Sequence, residues 1–209
     1  MKIQIFADFI CPYCYVRQKQ LRDAINEVDP SIEIEIMSYE LAPGAIDNND
    51  LKMADVFVDR FGMSPEEMKA NTAQVNKMIQ EAGLEINSDD LKYSNTLKAH
   101  TLLQYAKEQK LANALADEIY HAYFAQGAYL NKDESLIEIA SKVGMDKETV
   151  NSVIGSKEYI NKVHADHSLG KKIGINTVPH VVIDGELSVS GTQSKESYKE
   201  AINKVMANK

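Results

Sequence analysis

The stretch that most constrains this chain is Cys11-Pro12-Tyr13-Cys14, together with its two flanks. Before it, Lys2 to Ile10 is short, apolar and rich in residues that favour strands. After it, Tyr15 to Val28 contains no Gly or Pro and has apolar residues at Val16, Leu21, Ala24, Ile25 and Val28. The order predicted is strand, tight turn, helix. The cysteines are the only two in 209 residues, and they fall at the start of the helix. Pro12 suits the first turn, where no N–H partner is lost.

A helix N-terminus offers unpaired N–H groups and the positive end of the macrodipole. Both favour a thiolate, so Cys11 is the candidate nucleophile. Cys14 lies one turn on, facing inward, and is placed to attack a mixed disulfide formed at Cys11. Three other roles for the pair compete. A structural disulfide between residues three apart would close a tiny loop and add little stability. Half of a zinc site would need two more ligands, and His164 and His167 are more simply two surface histidines. A chance pair of inert thiols is the third, because isolated motifs carry false positives.

The length allows one large domain, or one domain with a sizeable insertion. Apolar residues make up 44% and charged residues 26%, an ordinary soluble balance. A net charge of −8 argues against nucleic acid and anionic membranes as partners, since both reward basic patches. The N-terminal apolar stretch is broken by Gln4 and Asp8, carries one basic residue and has no small-residue cleavage site. No stretch reaches transmembrane length. The expectation is a cytoplasmic protein, no membrane partner, and a cysteine pair that is functional rather than a permanent staple.

Ile32 to Met37 alternates with period two and reads as a half-buried strand, with Glu33 and Glu35 on its solvated face. From about Asp50 to Val153 the chain turns helical in character. Helices are expected over about 51–61, 64–82, 94–110, 111–125, 133–143 and 147–154. Ser64, Pro65 and Glu67 form a capping box at the start of the second. The stripes Met68, Val75, Met78, Ile79 and Leu115, Ile119, Tyr120, Tyr123 have helical spacing and read as core. A further helix covers 157–172. Val181 to Ile183 and Leu187 to Ser190 read as a hairpin across a two-residue Asp184-Gly185 turn, followed by a helix capped by Ser194. Without the helical block a four-strand α/β unit remains, with the cysteines at its first strand-to-helix junction. A C-x-x-C near a βαβ pattern reads as a thioredoxin-like redox motif.

At this level the sequence resembles the thioredoxin superfamily in its DsbA-like branch, and more narrowly the cytoplasmic FrnE-type dithiol–disulfide isomerases. The residues that carry the resemblance are Asp8 to Cys14, Tyr39-Glu40-Leu41-Ala42-Pro43, Asn95 to His100, Phe124-Ala125-Gln126-Gly127, and Ile175 through Gln193. It implies an α/β thioredoxin fold made of residues 1–48 and 155–209, with a large all-helical insertion over 49–154. It implies disulfide chemistry through Cys11 and Cys14 without metal or organic cofactor, with glutathione a possible co-substrate and a disulfide- or thiol-containing protein or small molecule as partner. It gives Pro179 the role of a cis-proline next to the cysteines, with Val178 and the segment before it offering backbone to an extended substrate. Pro12, Tyr13 and His100 complete the expected substrate-binding set. Tyr13 stands where that family usually has tryptophan, and Thr177 where it usually has glycine; both look more like glutaredoxin.

Asp8 is expected either to tune the thiols or to cap the helix. His100 sits on an inner helix, lining the cleft or serving the core. His180 lies beside Pro179. Two other functions compete with disulfide exchange. One is a glutathione-dependent enzyme like the kappa-class transferases and 2-hydroxychromene-2-carboxylate isomerases, which usually have serine at the first cysteine's position. The other is a chaperone-like module that holds unfolded polypeptide.

Overall fold

The computed structural model describes residues 1–45, 51–191 and 193–208. The expected 48/49 boundary and Thr192 lie outside the described residues. The chain opens with β1 (Lys2–Ala7), α1 (Pro12–Val28) and β2 (Glu33–Ser38). β1 and β2 pair in parallel, with Ile3 opposite Ile34 and Ala7 opposite Ser38. β1 stops three residues short of the expected Ile10. There the Asp8 carbonyl accepts the Cys11 N–H at 3.2 Å, which turns the chain into α1. Near the C-terminus, β3 (His180–Ile183) runs antiparallel to β1, and β4 (Leu187–Ser190) antiparallel to β3. The sheet order is β2-β1-β3-β4.

Asp184 and Gly185 both have positive φ, +51° and +73°, at the centre of the hairpin turn. The Glu186 N–H closes it onto the Ile183 carbonyl at 3.0 Å. The first ladder pair is Ile183 with Leu187, so three residues separate the strands instead of the expected two. On β2, Glu33 is exposed as expected, but Glu35 is not simply solvated. It pairs with Lys2 Nζ at 2.9 Å and accepts from Gln4 Nε2 at 2.7 Å across the sheet.

Successive β1 side chains face opposite sides of the sheet. Phe6 meets α8 (Lys157–Lys172), where Gly170 lets the two elements approach closely. A Cβ at Gly170 would stand 3.1 Å from the Tyr39 ring and 3.2 Å from that of Phe6. The C-terminal helix α9 (Lys195–Ala207), capped by Ser194, packs along α1.

Between β2 and α8 the chain forms α2 (Met53–Phe61), α3 (Pro65–Glu81), α4 (Leu97–Glu108), α5 (Ala112–Gln126), α6 (Asp133–Lys142) and α7 (Lys147–Val153). Both halves of the Ser64–Glu67 capping box are present. α4 begins three residues later than expected, because the Asn95 side chain accepts the Leu97 N–H at 2.9 Å and Ser94 accepts that of Leu130. Such local bonds give the backbone an alternative to the helix. The α5 stripe is core throughout: Leu115, Ile119, Tyr120 and Tyr123 are all buried. In the α3 stripe only Ile79 is; Met68, Val75 and Met78 are half-buried.

α4 packs on both α5 and α8, and one continuous apolar core runs from the sheet into these helices. The architecture is a thioredoxin fold with a helical insertion of the DsbA-like kind. Among the described residues no helix is long and apolar enough to cross a membrane.

Candidate active site

Cys11 is the N-cap residue of α1, with extended backbone at φ −87° and ψ 113°. Pro12 opens the helix, the one position where its missing N–H does no harm. No side chain caps this end through Cys11. The two cysteines are unbonded and stand 3.4 Å apart. Cys11 is nearly covered, at 4% exposure, and its Sγ lies 3.9 Å from the Val178 carbonyl oxygen. The Val178–Pro179 peptide bond is cis. The Pro179 carbonyl in turn accepts the Gly191 N–H at 3.3 Å, which ties this segment to the end of β4. Asn176 and Thr177, just before it, are exposed.

Cys14 is fully enclosed. Burial is the main cause that raises its thiol well above the ordinary range, followed by its hydrogen bond with Cys11 and the Cys11 charge. The pair is therefore asymmetric. One sulfur sits at a helix end against the carbonyl of the buried Val178, which directly follows the exposed Asn176 and Thr177, and the other is enclosed in the core.

The insertion supplies the wall behind Cys14. Tyr120 on α5 donates its hydroxyl to the Asp8 carbonyl at 3.3 Å, and its ring packs 5.4 Å from that of Tyr15 and 5.3 Å from that of Phe9. Burial first, then the charges of Cys14 and Cys11, push the Tyr120 hydroxyl well up. Spacing identified Tyr120 as core, but nothing local in the sequence linked it to the cysteines.

Asp8 does not cap α1. Its carboxylate is completely buried and accepts the Leu41 N–H at 2.6 Å, while its second oxygen lies 3.3 Å from His100 Nε2. Asp8 thus joins the end of β1, the loop after β2 and helix α4. His100 is 1% exposed, packs 4.7 Å from the Phe9 ring, and leaves Nδ1 without a partner among the described residues. It lies in the core beside the cysteine turn and not on an open cleft wall. Glu40, also buried, is held above the usual carboxylate range by desolvation, with His100 opposing.

Tyr13 is half-buried against the core. It lines a groove of about 340 Å³ between α1 and α3, together with Arg17 one turn later. Arg17 was missed in the sequence, although the i, i+4 relation to Tyr13 puts it on the same helix face. His180 pairs with Phe6 across the sheet and so shares that residue's face; burial lowers its imidazole pKa. His164 is exposed, whereas His167 stacks on Tyr39 at 4.4 Å. Among the described residues no group of three or more His, Cys, Asp or Glu is arranged to hold a metal ion.

Comparison with known proteins places this geometry. The uncharacterised protein YwbO of Bacillus subtilis (strain 168) is 23% identical over 204 residues, 96% of this chain and 95% of that protein. The crystal structure of the probable DsbA oxidoreductase SCO1869 from Streptomyces coelicolor superposes with a TM-score of 0.94 at 29% identity, covering 100% of this chain and 91% of that one. The cytosolic disulfide reductase DsbM from Pseudomonas aeruginosa, solved with GSH, shares the fold at a TM-score of 0.70 and 10% identity, covering 99% and 100%. Residues 2–203 match the DSBA-like thioredoxin domain, and the chain belongs to that family.

Proposed function

We propose that this protein is a thiol–disulfide oxidoreductase or isomerase, with Cys11 as the attacking thiol and Cys14 as the resolving one. The observation that carries the proposal is the asymmetry of two unbonded thiols 3.4 Å apart, one at the start of α1 facing the Val178 carbonyl and one enclosed behind it. In the reducing direction the Cys11 thiolate attacks one sulfur of a substrate disulfide. A Cys11–substrate disulfide forms and the other substrate sulfur leaves as a thiolate. Cys14 gives up its proton and attacks Cys11 Sγ, which releases the second substrate thiolate and leaves a Cys11–Cys14 disulfide. The substrate gains two electrons and the protein loses two; the oxidising direction is the reverse.

The similarity to SCO1869 and membership of the DSBA-like family support this class of chemistry. The narrower FrnE-type assignment is proposed from the same residues that carry the resemblance. Val178 and Pro179 would present backbone to an extended substrate, with Pro12 and Tyr13 beside it. The step needs only the two thiols and a recycling thiol pair, for which glutathione has the right chemistry. A cytoplasmic location and a thioredoxin-like unit of residues 1–48 and 155–209, interrupted by 49–154, complete the proposal. Full-length protein should catalyse exchange between glutathione and a disulfide-bonded peptide. Cys11→Ser should lose nearly all of that rate, because the mixed disulfide can no longer form at this position. Retention of the rate by the variant would exclude the proposal, and polypeptide holding that survives loss of both cysteines would favour a binding module.

A further inference from the structure

Arg17 is 9% exposed, yet among the described residues its guanidinium has no acidic partner. Nη1 donates to the Gln20 side-chain oxygen. Nε is buried and has no hydrogen-bond partner among the described residues, and Arg17 makes no ion pair with any described carboxylate. Burial lowers its pKa; the groups that oppose this are the hydroxyls of Tyr198 and Tyr13. A buried cation without a counter-charge is costly, and a structure that keeps one invites an anion.

The surroundings match that expectation. Arg17 lines the groove between α1 and α3, together with Tyr13, and so adjoins the Cys11–Cys14 turn. The opposite wall carries Gln74, Val75, Lys77 and Met78, together with the carboxylate of Glu81. Lys77 is largely exposed and is joined only loosely to Glu81, at 3.8 Å. The groove thus holds a guanidinium whose Nε–H is unused among the described residues, a second cation loosely paired with Glu81, and apolar lining from Val75 and Met78. A guanidinium is shaped to hold a carboxylate through two parallel bonds.

We propose that this groove is a carboxylate-binding subsite, in which Arg17 holds an anionic group of a substrate whose sulfur reacts at Cys11. The substrate class is a disulfide or thiol bearing a carboxylate close to its sulfur. The proposal rests on Cys11 as the exchange site for its catalytic consequence, but not for binding itself.

Two arms test it. The first uses reduced wild-type protein and 3,3′-thiodipropionate, a thioether dicarboxylate that cannot exchange. The Arg17 Nε–H NMR signal, assigned by its loss in Arg17→Lys, should shift saturably with this probe and stay still with the neutral thiodiglycol. No shift, or equal shifts with both probes, would overturn the subsite. The second arm compares turnover of 3,3′-dithiodipropionate with that of neutral bis(2-hydroxyethyl) disulfide. Arg17→Gln should raise KM for the dicarboxylate at least tenfold with kcat kept, and change the neutral substrate less than twofold. Arg17→Lys, which keeps the charge without the fork, should fall between. Equal losses on both substrates would mark a merely structural arginine and overturn the proposal. Binding of the thioether without turnover of either disulfide would support the subsite and remove the exchange function.

Discussion

Helix α4 is fastened to the sheet unit at two points one turn apart, and the two are built differently. At the second, Asp166 of α8 accepts from the Ser38 N–H at 3.0 Å, Gln104 Nε2 at 2.6 Å and Lys107 Nζ at 2.9 Å, and Gln104 also reaches the Ser38 hydroxyl. Its charge is matched by a lysine. At the first, Asp8 has the Leu41 N–H and His100 Nε2, and the charge is matched only when the imidazole is protonated. His100 Nδ1 is left without a partner among the described residues. Both anchors hold the insertion against the sheet. The Asp166 anchor is complete, whereas the Asp8 anchor, three residues from Cys11, keeps a spare polar group beside the thiols. A fully satisfied polar network rigidifies a core, whereas a buried polar group left without a partner is costly.

The comparison can be broken by mutation. Asp8→Ala should be the most damaging change, since it leaves a buried histidine and the Leu41 N–H unpaired. Removing one partner of a buried pair costs about 3–5 kcal/mol. Urea unfolding checks this, and a loss below about 1 kcal/mol would make Asp8 no anchor at all. Asp166→Ala should cost less, about 2 kcal/mol, because this carboxylate is nearer solvent and water can replace it for its donors. If Asp166→Ala proved the more destabilising, the ranking of the two anchors would reverse.

A smaller effect sharpens the contrast within the cysteine pair. The enclosed Cys14 thiol has a raised pKa in the folded protein and an ordinary one, about 8.5, in the unfolded chain. Its contribution to stability is therefore fully present below about pH 8.5 and is lost as pH rises toward the folded value. Stability should fall by roughly 1 kcal/mol per pH unit above that point from this group alone. Cys14→Ala should flatten the decline. Urea midpoints at pH 7.5 and 9.5 compare the slopes, and equal slopes would show that Cys14 ionises freely in the fold.

What the sequence revealed was local. The strand–turn–helix around Cys11, the Ser64 capping box and the parallel β1–β2 pair all follow from residues within a few turns of one another. The partners of Asp8 do not, because His100 and Leu41 are brought to it by the docking of α4 and the loop after β2. A capping role was the natural local reading of a carboxylate three residues before a helix. The α3 stripe shows a second limit. Helical spacing says which face is apolar, but not whether a neighbour covers it; Val75 and Met78 line a groove. Arg17 was overlooked for the same reason, since its missing counter-charge appears only once the fold has buried it.

The most direct measurement is to trap the mixed disulfide. Cys14→Ala and Cys11→Ala proteins would each be mixed with a disulfide-bonded peptide, quenched with acid and read by mass spectrometry. The account predicts a stable peptide adduct on Cys11 when Cys14 is absent, and almost none on Cys14 when Cys11 is absent. Adducts forming on Cys14 as fast as on Cys11 would contradict it, because the enclosed thiol would then be as available to substrate as the one at the helix end.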